Sequence, residues 1–160
     1  MKRLVPLAVL IIFLFTGCSV KNYTPEIPAA LNQSATVSSG DFSFQCEICK
    51  NEEGVKVTVL STEAKGMVMM YNGESLDFVY ENYSHTVNAK GFERDNIAIV
   101  VYEVFQYINT AEQQEIKKID GGYQYSGKVS AGDFILIQND DNTFNSIAIR
   151  SADFKITFEN

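Results

Sequence analysis

Apolar and polar residues alternate along most of the chain after Gly40, and this period of two constrains the fold more than any other feature of the sequence. The last such segment, DFKITFE at 153–159, places its aromatic and aliphatic side chains on one face of an extended chain and its charges on the other. Successive side chains of a strand point to opposite faces, so this pattern is typical of an antiparallel sheet that buries one face. Alternation or short apolar runs between turn residues predict further strands at 42–49, 55–59, 83–87, 123–129, 133–138 and 144–150.

The segment MVMMYNGESLDFVY at 67–80 predicts a hairpin. Its Asn72-Gly73 pair lies between two apolar runs and is the preferred pair for a two-residue type I′ loop. Counting outward from this loop pairs Met69 with Leu76, and Met67 with Phe78. The expected core face is then apolar on both strands.

One segment departs from the period of two. From Ile97 to Ile108 the apolar residues recur at spacings of three and one, which is typical of one face of a helix. Asp95 or Asn96 can cap its start. Val and Ile are not strong helix formers, so burial of that face must supply the stability. A strand through the same residues is the alternative interpretation.

The N-terminal segment has the order of a secretory signal. A basic start, Lys2-Arg3, precedes the apolar stretch Leu4–Phe15, which is shorter than the about 20 residues that a membrane-spanning helix needs. Two small residues, Thr16-Gly17, stand directly before Cys18. This arrangement resembles the lipobox of bacterial lipoproteins, whose cysteine becomes the N-terminus and carries a diacylglyceryl thioether. The resemblance implies that Cys18 is lipidated; an ordinary cleaved signal is the alternative.

With cleavage before Cys18, the sequence is predicted to have three parts. Residues 1–17 are predicted to be a lipoprotein signal peptide, residues 18–39 a flexible tether rich in Asn, Ser and Thr, and residues 40–160 a single β-rich domain. A flexible tether of this length spans roughly 25 Å. We therefore expect a domain anchored to the cell membrane through its lipid and facing outside the cytoplasm.

The processed chain would be strongly acidic. Loss of Lys2 and Arg3 leaves 11 of the 13 basic side chains against 20 acidic ones, a formal charge of −9. Such a surface repels phosphate backbones, and no basic stripe along the chain offsets it. Nucleic-acid binding is therefore excluded.

Hairpins come first in the predicted domain, then one apolar helix, then a meander. With the stretches KGMVMMYNGESLDFVYENY and DFILIQNDDNTFNSIAIRSADFKITFEN, this order resembles the LolA/LolB-type lipoprotein carrier superfamily. Within it, the chain resembles small lipoproteins of spore-forming Firmicutes, including a germination lipoprotein, over roughly Phe42 to Asn160. The resemblance implies an α+β fold, mainly β. It would be a curved antiparallel sheet, an unclosed half-barrel, with a helix packed on its concave face.

Cys46 and Cys49 have the spacing of a redox or zinc pair. Zinc takes four N or S ligands, and the processed chain offers only these thiols, Cys18 and His85. A thioredoxin-type pair needs a helix N-terminus, whereas this pair lies in a predicted strand. Residues three apart in a strand point to opposite faces. We therefore predict Cys46 in the core and Cys49 exposed or intermolecular, with a redox pair as the alternative.

Two other polar features have simple interpretations. His85 alternates with apolar neighbours and is predicted on a strand surface. The acidic turn 139–142 resembles half of a calcium loop but lacks the spacing and the distal glutamate of that motif. A polar turn is the preferred interpretation, with weak calcium binding as the alternative. We therefore expect no catalytic residue, metal or cofactor, and no enzymatic activity.

Methionine and aromatic side chains on the concave face can line an adaptable apolar pocket, or simply fill a core. The first hypothesis is a non-catalytic binding or chaperone-like module for an apolar ligand, such as an acyl chain or a lipoprotein. The alternative is an interaction lipoprotein with a filled core that supports a cell-envelope or spore-cortex enzyme, since some relatives partner with a cell-wall amidase. The predicted lining consists of Met67, Met69, Leu76, Phe78, Val101, Phe105, Phe154 and Ile156.

Overall fold

The computed structural model describes residues 27–92, 95–110 and 115–159. Cys18, the predicted signal peptide and the first part of the predicted tether lie outside these residues, so cleavage and lipidation stay predictions. None of the helices in the described ranges is long and apolar enough to span a membrane.

The described residues form one antiparallel sheet of eleven strands. The first six strands make one meander, the last five make a second, and pairing of the first strand with the last joins the two. Across the sheet the order is β6-β5-β4-β3-β2-β1-β11-β10-β9-β8-β7. The strands are β1 (Leu31–Ser39), β2 (Phe42–Lys50), β3 (Val55–Val59), β4 (Val68–Tyr71), β5 (Ser75–Tyr80), β6 (Tyr83–Asn88), β7 (Glu115–Ile119), β8 (Gly122–Val129), β9 (Gly132–Asn139), β10 (Phe144–Ile149) and β11 (Phe154–Phe158).

A single α-helix of the described chain, α1 (Ile97–Thr110), connects the two meanders. It contacts β3 and β4 on one side and β8 on the other. In a flat sheet the six strand intervals between β3 and β8 would span roughly 29 Å, and a helix is only about 10 Å wide. The sheet therefore curves around α1, while its edge strands β6 and β7 do not pair with each other. This confirms the predicted fold class of an open half-barrel with a helix on its concave face.

The helix interpretation of the 97–108 segment is confirmed, and the strand alternative is wrong. Asn96 Oδ1 accepts a hydrogen bond from the backbone N–H of Ala98 at 2.9 Å and so caps the start of α1. Three edge-to-face ring pairs join the helix to the concave face of the sheet. They are Tyr71–Tyr102 with centroids 5.0 Å apart, Phe105–Phe144 at 4.8 Å and Tyr107–Phe134 at 5.3 Å.

The predicted tether is wrong over its last nine residues, because Leu31–Ser39 forms strand β1. This strand lies in the middle of the sheet, paired with β2 on one side and β11 on the other. Its sequence, LNQSATVSS, buries Leu31, Ala35 and Val37 only. Hydrogen bonds to two neighbouring strands hold this polar segment in the sheet. No local sequence pattern predicts this pairing. The β-rich domain therefore begins before Gly40.

Strand β7 was also absent from the sequence predictions, because its EIKKI sequence buries little. By contrast, β8 to β11 lie within one residue of their predicted bounds.

The predicted hairpin forms between β4 and β5 in a different register. Met69 pairs with Phe78 rather than with Leu76. Asn72 Oδ1 accepts hydrogen bonds from the backbone N–H groups of residues 74 and 75, both at 2.9 Å, which shifts the turn toward the C-terminus. A shift of two residues keeps the same side chains on the same face, so the predicted pairs are wrong and the predicted core face is right.

Candidate ligand-binding cavity

An apolar cavity opens at the end of the half-barrel where α1 begins. Its volume is about 370 Å³, within the range of small-molecule sites. The wall combines the ends of β1 to β5 and β11, the β3–β4 loop, and the segment that leads into the helix. Its apolar members are Val37, Phe42, Phe44, Val59, Ala64, Met67, Met69, Phe78, Phe92, Ile97 and Phe154.

The cavity exists because α1 covers only part of the concave face. Ile97, the first residue of the helix, lies in the cavity wall. On β2, Cys46 lies in the covered part of the face and is fully buried, whereas Phe42 lies four residues earlier and is 58% exposed. The same alternation thus supplies core residues under the helix and wall residues beyond its first turn.

Four of the eight residues predicted to line a ligand site do lie in this wall. They come from three strands and from the loop before β4, and all four point to the concave face. They are Met67, Met69, Phe78 and Phe154.

The other four predicted residues belong to the packed core and not to the wall of this cavity. Each is fully buried, with no exposed side-chain surface. The body of α1 fills the concave face at their level, since Phe105 packs edge-to-face against Phe144. These four are Leu76, Val101, Phe105 and Ile156.

The predicted lining does not include several residues of the cavity wall. The alternation of DFSFQCEIC already placed Phe42 and Phe44 on the face of Cys46, so the signal for these two was available. Phe92 stands in a polar connection, where no periodicity marks it. Its ring packs against Phe78 with centroids 5.4 Å apart, which brings it into the wall.

Asn96 joins the helix cap to the cavity. Its Oδ1 holds the first turn of α1, and its Nδ2 lies 3.5 Å from the sulfur of Met69 in the wall. The remaining polar wall residues that the structure describes are Ser39, Thr62 and Asp95. The wall is therefore mostly apolar, with a few polar groups near the helix start, which is the usual composition of a ligand pocket.

A larger groove, of about 1060 Å³, lies beside Tyr107. Its lining contains Glu115, Asp133, Lys128 and Arg150. Charged side chains of both signs line this groove, whereas the smaller cavity has a mostly apolar wall and is the better candidate for an apolar ligand.

The structure places the two cysteines on opposite faces of β2, as predicted. Cys46 lies between Ala35 and Val59 on the neighbouring strands and is fully buried. Burial, together with the nearby Glu159 carboxylate, raises the pKa of the Cys46 thiol to about 12, so it stays protonated and unreactive at neutral pH. Cys49 is half-buried and unpaired, with its sulfur 3.3 Å from Asn32 Oδ1.

The remaining polar candidates lie on the surface. His85 is exposed on β6, opposite Phe78. In the 139–142 turn, Asp141 Oδ1 accepts hydrogen bonds from the backbone and the hydroxyl of Thr143, at 3.0 and 2.6 Å. These bonds hold the pKa of the Asp141 carboxyl below its usual value. Within the described ranges, no group of three or more His, Cys, Asp or Glu side chains is placed to hold a metal ion.

The fold is similar to a solved structure of a LolA superfamily protein from Nitrosomonas europaea. The TM-score is 0.39 with 13% sequence identity, over 86% of this chain and 72% of that chain. No protein-family model matches the sequence, and no curated protein matches it. A likeness at this TM-score and identity carries no conclusion about function.

Proposed function

We propose that this protein is a membrane-anchored extracytoplasmic lipoprotein that binds an apolar group, such as an acyl chain of a lipid or of a lipoprotein, without catalysing a reaction. The observation that supports this proposal is the open cavity of about 370 Å³ with eleven apolar residues in its wall. Burial of an acyl chain there contributes about 0.8 kcal/mol for each CH₂ group removed from water.

The residues of the wall suit a ligand of variable shape. Met67 and Met69 are unbranched thioethers that adapt to irregular apolar surfaces. Phe42 is 58% exposed at the opening, so a bound chain would cover apolar surface that now faces water.

In this proposal the chain that comes from the anchor enters the sheet at the end opposite the cavity. β1 starts at Leu31, distant from the cavity, and ends at Ser39 in its wall, a length of roughly 27 Å. At the Leu31 end, Lys50 Nζ donates a hydrogen bond to the Ala29 carbonyl at 3.1 Å and so holds the entering chain. With a lipid on Cys18, the chain from the anchor would enter the domain at the Leu31 end of β1, away from the cavity.

A fluorescent acyl probe and a pair of variants on β4 test the cavity. Met69 is 4% exposed in the wall, whereas its neighbour Met70 is 38% exposed on the other face of the strand. We expect Met69→Phe to fill space that the probe needs, lowering its affinity with little loss of stability, and Met70→Phe to leave affinity unchanged. Absence of probe binding, with Met69→Phe overpacking the site at about 1–3 kcal/mol, would refute the binding proposal.

Replacing Cys18 tests the anchor. The thioether requires the Cys18 sulfur, so Cys18→Ala should stay unprocessed or be released from membranes, while Cys49→Ser, another thiol replacement, should fractionate like the wild type. The measurement is detergent phase partitioning of the processed protein. If processed Cys18→Ala still partitions with detergent like the wild type, the anchor proposal is wrong.

A second candidate function is that of an interaction lipoprotein that supports a cell-envelope or spore-cortex enzyme. Its supporting observations are the solid core beneath α1 and the exposure of Tyr83, 79% of whose surface faces solvent. The acyl-probe experiment separates the two functions, because an interaction module with a filled interior binds no probe.

A further inference from the structure

The two edges of the sheet differ in charge. On β7, three of the five residues in EIKKI are charged, which is a common protection of an edge strand against pairing with another molecule. On β6, the sequence YSHTVN contains no Lys, Arg, Asp or Glu. β6 also pairs with β5 along its full length without a bulge. A regular, uncharged edge strand is a template for a further strand.

The outer side of β6 carries free backbone groups. Just beyond the strand, the Ala89 N–H donates to the Glu74 carbonyl of the β5 side at 3.1 Å. Hydrogen-bonded residues alternate along an antiparallel pair, so the odd-numbered residues of β6 bond to β5. Ser84, Thr86 and Asn88 then point their N–H and C=O groups outward. No other strand of the described chain pairs with this side.

An exposed aromatic side chain accompanies these groups. Tyr83 is 79% exposed, more than any other large apolar side chain of the described residues. Because side chains alternate along a strand, Tyr83 shares a face with His85 and Val87. An added strand would cover part of this ring.

We propose that β6 pairs antiparallel with β6 of a second copy of this chain, about a two-fold axis at His85. In this register Tyr83 lies opposite Val87 of the second copy, an aromatic pair with a β-branched residue that stabilises neighbouring strands. The contact is the same patch on both molecules, as a two-fold dimer requires.

The charges that flank β6 fit this occupant. Glu81 precedes the strand and Lys90 follows it. Antiparallel self-pairing brings Glu81 of each copy near Lys90 of the other at both ends, whereas parallel pairing would place like charges together. The formal charge of the chain is −7, so two copies repel each other in general. The β6 strand itself adds no Asp or Glu charge to that repulsion.

Charge variants of the full-length, detergent-solubilised protein test the dimer by sedimentation equilibrium. His85→Asp and His85→Lys each place like charges at the two-fold axis, and we expect each to weaken self-association by about tenfold or more. A mixture of the two should associate as well as the wild type. Lys117→Glu on the β7 edge is the matched control and should leave self-association unchanged.

Disulfide trapping in membranes provides a second measurement. In a Cys49→Ser background, His85→Cys should form a disulfide-linked dimer on mild oxidation, since facing residues in a non-hydrogen-bonded pair have Cα atoms about 4.5 Å apart. Lys117→Cys should form none. A monomeric wild type without His85→Cys trapping, or failure of the Asp and Lys variants to associate when mixed, would overturn the proposal. A monomeric wild type without trapping is the result expected if β6 instead pairs with a strand of a different protein.

Discussion

The two halves of the concave face, one under α1 and one beyond its first turn, differ in packing although their sequences share one pattern. Where the helix covers the sheet, Leu76 on β5 and Phe105 on the inner side of α1 are fully buried. Beyond it, Phe78 is only half-buried and Phe42 is 58% exposed. Leu76 and Phe78 are two residues apart on the same face of β5. Coverage by the helix, and not the apolar pattern of the strands, therefore separates core from cavity wall.

The largest effect on stability should come from replacing one phenylalanine in each half by alanine. Phe105→Ala removes a ring buried between α1 and the sheet and should lower the free energy of unfolding by about 3–5 kcal/mol. Phe42→Ala at the cavity opening should change it by less than about 0.5 kcal/mol and lower acyl-probe affinity instead. Urea denaturation measures both values. Equal losses of stability would show that the two halves are packed alike.

The two cysteines allow the same comparison between the faces of one strand. Cys46→Ser places a hydroxyl in the core and should cost about 1–2 kcal/mol, whereas Cys49→Ser on the half-exposed face should be nearly neutral. Chemical denaturation of the two single variants provides the measurement. A neutral Cys46→Ser would mean that water reaches the covered half.

The thiol also predicts a pH dependence. The pKa of Cys46 is raised from 9.0 to about 12 in the folded protein, so the unfolded chain releases its proton first as pH rises. The contribution to stability is complete below pH 9 and is lost as pH rises toward about 12. Cys46→Ala should lose less stability over this interval than the wild type.

The smallest effect is expected at the boundary between the halves. Asn96→Ala removes the cap of α1 and its contact with Met69, and should cost about 1 kcal/mol. Asn96→Asp keeps the capping oxygen and should retain most of the stability. If fraying of the first turn enlarges the cavity, probe affinity should change in Asn96→Ala and not in Asn96→Asp. Equal probe affinity in the two variants would show that the helix cap does not influence the cavity.

Local periodicity predicted those elements whose stability depends on one clearly apolar face. The strands after Gly121 and the helix from Ile97 belong to this group. β1 was missed because its polar sequence is ordered by partners distant in the chain: the Phe144 N–H, for example, lies 3.4 Å from Gln33 Oε1, 111 positions away. The β4–β5 register was missed because a side-chain turn at Asn72 overrides the simple Asn-Gly rule.

By itself, the sequence determined which side chains share a face, because the alternation of side chains along a strand and their recurrence along a helix are local properties of the backbone. It placed Met69, Leu76 and Phe78 together on the concave side. Only the tertiary structure decided that Leu76 is core and that Met69 and Phe78 are wall. That choice depends on where α1 begins over a sheet whose curvature arises from pairing of distant strands, and no short stretch of sequence contains this information.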